Sequence, residues 1–600
     1  MAKTYTGNLS LEWYNKQFSI LLKKEGDTIE SQNDIPAPKM NWVNKDYALF
    51  YEIIDEEGRG LEPFWVNSND IRIKEARPLI LQKVFKSIIK DKKGTIPGTI
   101  QDFHIEESKK EDPAVENILI KGDNLLGLNA LKKIFINKPE AERIKCAYLD
   151  VPYNTGSAFE HYDDNLGHSE WLTLIRDRFI LIKQLMRSDG FVFVQIDNKE
   201  VFRLKVLLDE IFGKENFIND IVWKRRGGSA NPNNRLNNVT DYILWYSITP
   251  GTEFNQIYSL EDENTQEYIT ERFTNELKGK KYMLAPIERN AKLGLRETLR
   301  YEYKGYIPEY GWMMSKENLI KMDKTDRLHW NNKGRPNRRV FLDDYQGQPI
   351  SNLWTDIKVI NPMSKERSEF EGGQKPEALI ERILTFGSNE GDFVLDVFGG
   401  SGTTFATAHK MKRKWVGIEI GNHADSLIIP RMKKVLTGSD DSGISKSQNW
   451  QGGGSFKYYH LGDSIIKIDI SKGTGDFNWS LGKRFIEESF LLSYDYIIDK
   501  TINLSTGKLF SEEKDHPVIG VQEIGTKIRV AVVTLNEPRG KLSNITFDEL
   551  QSLYKIIKKK YSPEYINIFT NRGIEIASDS KPEDLEVIKV PSAIFAELEK

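Results

Sequence analysis

Ile144-Lys-Cys-Ala-Tyr-Leu-Asp150-Val151-Pro152-Tyr153-Asn154-Thr155-Gly156 is the stretch on which the reading of this chain turns. Its first six residues read as a short buried strand, which breaks at Asp150 into a proline-containing turn carrying one carboxylate and one aromatic ring. Open α/β sheets place their chemistry at strand ends of this kind. An Asp-Pro turn can also close any buried strand, so its meaning depends on what else the chain holds.

A second stretch answers it. Gly391-Asp-Phe-Val-Leu-Asp396-Val397-Phe398-Gly399-Gly400-Ser401-Gly402-Thr403-Thr404 reads as a hydrophobic strand, a tight glycine turn and the start of a helix from Thr403 to about Met411. Glycines there permit positive φ and let a ligand lie against the backbone. No Gly-Lys-Ser/Thr follows, which argues against a nucleotide P-loop. The next strand, Lys414 to Ile420, carries Glu419, 23 residues after Asp396. An acid roughly 20 residues beyond such a turn is where these folds bind ribose hydroxyls, so Glu419 is the candidate for that role.

Composition bounds the rest. Six hundred residues suggest roughly three to five domains and a large core. The single cysteine, Cys146, lies inside a predicted strand and reads as a small buried hydrophobe; its count excludes disulfide frameworks and cysteine metal clusters. The N-terminus lacks a hydrophobic signal region, and no run of about 18 apolar residues occurs, so a soluble cytoplasmic protein without a membrane span is expected. Net charge is only −3, yet residues 272–341 hold 17 Lys+Arg against 8 Asp+Glu, a local +9, leaving 68 against 80 elsewhere, or −12. A basic face on an acidic molecule is a polyanion footprint or a well-solvated surface domain.

In chain order, residues 1–105 suggest a small mixed domain without chemistry, with strand-like runs such as Tyr47-Ala-Leu-Phe-Tyr. Residues 106–249 form a first sheet–helix half, with a strand from Ile118, a helix from Leu125 to Phe135 and a helix from Ser169 to Met186. Trp171, Leu174, Ile175 and Ile182 recur there at helical spacing and mark a core face. A strand from Phe191 to Asp197 follows, and then a hairpin whose connecting loop, Arg225 to Arg235, serves either as a phosphate contact or as a solvated loop. His161-Tyr-Asp-Asp precedes the second helix. Residues 250–370 are basic and interleaved with aromatics, a composition suited to reading base edges with Arg and Asn. Residues 371–437 form the glycine-rich half, 438–455 a low-complexity linker, and 456–600 a compact α/β module. In that module Thr546-x-x-Glu549 is a capping box, and Pro582 to Lys589 has only a mis-spaced likeness to a nuclease motif.

Asp150-Val-Pro-Tyr153 resembles the Asp-Pro-Pro-Tyr signature of amino-group DNA methyltransferases, departing from it at Val151. Phe398-x-Gly400-x-Gly402 resembles their S-adenosylmethionine loop, and Lys375-Pro376 resembles the family's Lys-Pro helix that packs on the cofactor's methionine portion. Gly122-Asp123-Asn-Leu resembles the segment whose acid reaches the cofactor end of the pocket, although Asp123 also reads as a helix N-cap. Lys304-Gly-Tyr-Ile-Pro and Leu353-Trp-Thr-Asp resemble the target-recognition region of type III modification subunits. The order of catalytic turn, recognition segment and cofactor loop is the permuted arrangement termed β in this family.

The resemblance implies a Rossmann-like, permuted methyltransferase sheet with an inserted recognition domain. It implies methyl transfer from S-adenosylmethionine to the N6 amine of adenine in double-stranded DNA, with no metal ion. Asp150, Val151, Pro152 and Tyr153 would be catalytic, and Asp396, Phe398, Gly400, Gly402, Glu419, Lys375 and Asp123 would bind cofactor. Implied partners are a second copy of the chain and a helicase-nuclease restriction subunit. Competing readings are N4-cytosine methylation and a DNA-recognition subunit that recruits a nuclease with weak methylation.

Overall fold

The computed structural model describes residues 10–12, 39–53, 60–89, 103–154, 167–225, 236–469, 474–499, 501, 517–537, 544–575 and 582–590, apart from positions 262, 362, 369, 371 and 372. Thr155, Gly156, the His161 segment and most of the Arg225–Arg235 loop lie outside the described residues. The chain forms two compact units, Gln256–Asn352 and the remainder.

The larger unit is organised by an eleven-stranded sheet. Its strands in chain order are β1 (Leu79–Ile89), β2 (Phe103–Ser108), β3 (Ile118–Lys121), β4 (Ile144–Asp150), β5 (Met186–Ile196), β6 (Phe217–Lys224), β7 (Thr240–Ser247), β8 (Leu353–Trp354), β9 (Phe393–Asp396), β10 (Lys414–Glu419) and β11 (Ser455–Leu461). Across the sheet the order is β8-β6-β7-β5-β4-β9-β10-β3-β11-β1-β2. The six strands from β5 to β11 in that order are mutually parallel. Such strands need cover on both faces, which is why β4 and β10 are almost wholly apolar and buried.

Helices α1 (Asn124–Phe135), α2 (His168–Leu185) and α3 (Val201–Phe212) share one core cluster with Ala147, Leu149, Val192 and Val194. Side chains alternate across a strand, so Cys146 and Phe193 face the other way. There α4 (Glu377–Gly387) approaches so closely that a Cβ on Gly387 would sit 2.8 Å from Cys146 Sγ. Helices α5 (Thr403–Lys410) and α6 (Ile429–Thr437) complete the second layer's chain order. Burial pushes the Cys146 thiol up to about 12, leaving it the inert hydrophobe expected.

Four expectations about organisation are corrected. The boundary at residue 105 falls inside the sheet, because β1 pairs with β11 and β2 pairs with β1. β11 belongs to the chain after the supposed linker, so the boundary at 456 falls inside it too. Residues 438–455 are packed: Lys410 pairs with Asp440 at 2.8 Å, and Trp450 Nε1 donates to the Val435 carbonyl. The Ile444 N–H donates to Glu377 Oε2 at 3.0 Å. Gly443, at φ +55°, permits that approach, since a Cβ there would collide with the Glu377 carboxylate. Finally, Leu353–Trp354 runs beside β6 in the larger unit, so the inserted unit ends at Asn352 rather than at 370.

The inserted unit has a four-stranded antiparallel sheet of Asn275–Leu277, Lys280–Pro286, Pro336–Phe341 and Leu328–Trp330, in that order. Its aromatics turn inward: Trp312 is buried with Ile287, Leu319 and Leu328, and Tyr301, Tyr303, Tyr306 and Trp330 pack against them. Lys292, Arg296, Arg300, Lys333, Arg335 and Arg338 are exposed. The C-terminal residues build a five-stranded sheet covered by helices Lys483–Ser493 and Phe547–Tyr561 on its two faces. Thr546 caps the second helix, but Glu549 pairs with Arg572 at 2.7 Å instead of closing the expected box. Among the described residues no helix is long and apolar enough to cross a membrane.

Candidate active site

The parallel strands bring four acids to one edge. Asp150 ends β4, Asp396 ends β9, Glu419 ends β10 and Asp123 follows β3, and these strands are neighbours in that order. From β4 the chain continues outward to β5, and from β9 it continues the opposite way to β10. The gap between β4 and β9 is therefore a topological switch point, where open α/β sheets bind ligands.

The catalytic turn is fastened at several points. Val151 is buried in the core against the α1–α3 layer, and the Pro152 carbonyl accepts from Trp171 Nε1 at 2.8 Å. Trp171 thus belongs to the core, as its spacing predicts, and also anchors the turn. Asn154 takes positive φ and donates from Nδ2 to Glu200 Oε1 at 2.9 Å. This framework supplies rigidity that a proline at 151 would otherwise provide.

Within it, Lys375 Nζ donates to Asp150 Oδ2 and stands 5.1 Å from the centre of the Tyr153 ring. Asp150 Oδ1 is sealed from solvent with no donor. Burial raises the Asp150 pKa above the usual carboxylate range, and Lys375 opposes that rise. Burial, with Asp150 and Asp241 nearby, holds the Tyr153 phenol protonated, so its hydroxyl donates to Asp241 Oδ2 at 2.9 Å.

The glycine loop shows the opposite economy of contacts. Asp396 Oδ1 accepts from the Phe398 N–H at 2.9 Å and Oδ2 from the Thr404 hydroxyl at 2.6 Å. Burial nevertheless raises Asp396 to about 7, with Asp150 and Glu419 adding to the rise. Gly402, at φ +74°, caps α5, and Gly400 is at φ +50°. Glu419 Oε2 accepts from the Gly400 N–H at 2.7 Å and Oε1 from the Gly421 N–H at 2.8 Å. Burial would raise the Glu419 pKa, but His423 and these N–H groups outweigh it and hold the carboxylate below its usual range.

Of the sequence-predicted residues, the structure brings Asp150, Val151, Pro152, Tyr153 and Lys375 together, and joins Asp396, Phe398, Gly400, Gly402 and Glu419 in one loop system. Asp123 is placed differently. Its Oδ1 caps α1 through the N–H groups of Leu125 and Leu126, and its Oδ2 accepts from Arg178 and the Tyr51 N–H. The N-cap alternative is the one realised, and its neighbour Asn124 reaches the loop through the Val397 carbonyl at 2.8 Å. Asp241 and Glu200 meet the turn from distant positions, and Gln195 meets it only through Asp241, so nothing local in the sequence marks them.

A mixed sheet with six parallel central strands, a glycine loop at its switch point and a carboxylate–aromatic turn one strand away defines an α/β fold of the Rossmann-like class. The family model described as DNA methylase matches residues 144–429. The type II methyltransferase M.EcaI of Enterobacter cloacae is 32% identical over 359 residues, covering 58% of this chain and 76% of that protein. The probable type III restriction-modification enzyme HindVI Mod subunit of Haemophilus influenzae is 31% identical over 442 residues, covering 63% of this chain and 58% of that subunit. The StyLTI Mod subunit of Salmonella typhimurium is 28% identical, with 49% of this chain and 50% of that subunit covered. The chain belongs to the DNA methylase family. It spans little more than half the length of the two Mod subunits.

Proposed function

We propose that this chain transfers a methyl group from S-adenosylmethionine to the N6 amine of adenine at a specific site in double-stranded DNA, as the modification and specificity subunit of a type III restriction-modification system. One observation carries the reading: Asp150 Oδ2 accepts from the Lys375 ammonium, while Oδ1 is buried without a hydrogen-bond partner. An unsatisfied buried acceptor costs about 1–3 kcal/mol, which a donor from a substrate would recover. An exocyclic amine is such a donor.

An adenine amine is a poor nucleophile because its lone pair is delocalised into the ring. Asp150 Oδ1 accepts one N–H, and the Val151 carbonyl is the family's second acceptor; together they localise the pair on nitrogen. The sulfonium of S-adenosylmethionine supplies the activated methyl group. As nitrogen gains positive charge, Asp150 stabilises it, and preorganised charge is usually the largest catalytic contribution. The raised pKa suits Asp150 to take the proton the methylated amine releases. Tyr153 offers its ring to an extruded base, worth about 1–3 kcal/mol.

The loop from Asp396 to Gly402 would cradle the cofactor, with Lys375 at its methionine end. Glu419 holds the Gly400 and Gly421 N–H groups, with His423 Nε2 3.1 Å from Oε2, and keeps a second lone pair on Oε1 for a ribose hydroxyl. The exposed cations of Gln256–Asn352 suit duplex phosphates. The relatives named Mod subunits of type III restriction-modification enzymes support assembly with a restriction partner; a homodimer is proposed from the family resemblance alone.

The test is incubation with methyl-labelled S-adenosylmethionine and plasmid DNA, followed by nucleoside analysis and mapping. Label in N6-methyladenine at one sequence is expected. Label in N4-methylcytosine would overturn the adenine assignment, and DNA binding without label would favour a recruiter.

A further inference from the structure

Asp241 is the second residue of the hairpin's second strand, far from both motifs in the chain, yet it is fully buried beside the catalytic turn. Its Oδ2 accepts from the Tyr153 hydroxyl at 2.9 Å and from Gln195 Nε2 at 3.0 Å. Gln195 Oε1 in turn accepts from the Tyr148 hydroxyl at 2.6 Å. On the other side, Arg225 Nε lies 3.4 Å from Asp241 Oδ1. Three adjacent strands, β4, β5 and β7, therefore contribute to one buried polar chain that ends on the Tyr153 hydroxyl.

A satisfied ion pair or hydrogen-bonded carboxylate in a core often serves the fold alone. Two features point beyond that. Stacking of a base on a ring needs only the ring's face, so a phenol rather than a phenyl at 153 has no stacking purpose. The hydroxyl's partner is a buried carboxylate, a charge whose desolvation is costly unless several donors meet it. Such an arrangement fixes the ring's tilt and its distance from Asp150. A core phenylalanine would leave that to packing.

We propose that Asp241 is a positioning residue for the reaction: it holds the Tyr153 ring in the orientation that receives the target base, with Gln195 and Tyr148 fixing Asp241. This rests on the adenine-methylation reading for its consequence, but the ring restraint is a property of the free protein. Asp241 touches neither substrate nor cofactor in this scheme. Its effect passes through the Tyr153 hydroxyl, which donates to Asp241 at 2.9 Å and also lies close enough to Asp150 to lower that carboxyl's pKa.

Two measurements test it. The first uses the full-length protein with 3-fluorotyrosine placed site-specifically at 153 and follows the ¹⁹F resonance without DNA or cofactor. The wild type should show a single restrained environment, Asp241→Ala an averaged, shifted line, and Asp241→Asn, which keeps an acceptor, a line near the wild type. Identical lines in wild type and Asp241→Ala would overturn the proposal, whether or not the protein methylates DNA. Should Asp241→Ala fail to fold, Gln195→Met, which frees one side of Asp241, should still broaden the line; an unchanged line would count against it.

The second is a mutant cycle on methyl transfer, with 2-aminopurine at the target position reporting base extrusion. Tyr153→Phe and Asp241→Ala should each lower kcat/KM about 10-fold, and the double variant should be about 10-fold down rather than about 100-fold, because both delete one interaction. Cofactor affinity should not change. Additive losses, or a Tyr153→Phe variant with wild-type kcat/KM and fluorescence, would refute the positioning role. A wild type without transfer would instead refute the functional reading and leave the ¹⁹F result to decide.

Discussion

Both oxygens of Asp396 and of Glu419 are engaged by the protein, whereas Asp150, on the strand beside that of Asp396, has only one oxygen engaged. The glycine loop closes on itself through the N–H groups of Phe398, Gly400 and Gly421, so its shape is set before any ligand arrives. The catalytic turn is equally well anchored in its backbone, through Trp171 and Glu200, but leaves its reactive carboxylate half satisfied. A cofactor site gains from being finished in advance, since preorganisation lowers the entropy lost on binding. A catalytic acceptor gains from a vacancy that only the substrate fills.

The largest expected effect removes that vacancy. Asp150→Ala should lower methyl transfer by on the order of a thousandfold or more, comparable to losing an oxyanion donor. Calorimetric titration should show cofactor affinity within about twofold of the wild type. Near-normal turnover would break the contrast between the two regions. The mirror experiment is Glu419→Ala, which releases the Gly400 and Gly421 N–H groups together. Cofactor affinity should fall roughly 10–100-fold, in line with about 1.4 kcal/mol per tenfold change. If Glu419→Ala bound cofactor normally, the loop's own contacts would not be what shapes the site.

Lys375 links the regions and gives a pH signature. Lys375 lowers the Asp150 pKa against the rise imposed by burial. In Lys375→Met that opposition is gone, so the carboxylate protonates at higher pH. Transfer requires the ionised acceptor, so the acid limb of the kcat/KM profile should move to higher pH, whatever loss of cofactor affinity lowers the plateau. An unmoved acid limb would assign the titration to another group, Asp396 being the nearest candidate at about 7.

What was legible in the sequence follows from how local each interaction is. The strand–turn at 144–153 and the strand–loop–helix at 391–411 carry their geometry in consecutive residues, and both stand where expected. Asp241 could not be found that way, because its partners Tyr153 and Gln195 are 88 and 46 residues off and nothing local marks it. The same reason hid the membership of β1 in the main sheet, since its partner β11 lies far along the chain. Glycine and serine between 438 and 455 suggested a linker, but there the glycines serve tight packing rather than flexibility, Gly443 against Glu377, Gly438 against Gln451 and Gly454 against His409. The aromatics between 301 and 330 suggested a surface, yet a unit of under 100 residues needs them for its core.

The smallest effect is predicted at Val151, the one departure from the family's tetrapeptide. Proline would fix φ near −65° and confine the preceding residue to extended backbone. Asp150 already ends a strand, so that restriction coincides with its conformation. Val151 itself is held by burial among the residues that cover β4, and the following carbonyl by Trp171. The turn is thus as restrained by packing as proline would make it by covalent geometry. Val151→Pro should change kcat/KM by no more than about threefold; a stabilising proline contributes only about 0.4–1 kcal/mol where the backbone already fits. A gain above about tenfold would show instead that valine leaves the turn loose, and that the framework around Asp150 is less complete than that around Glu419.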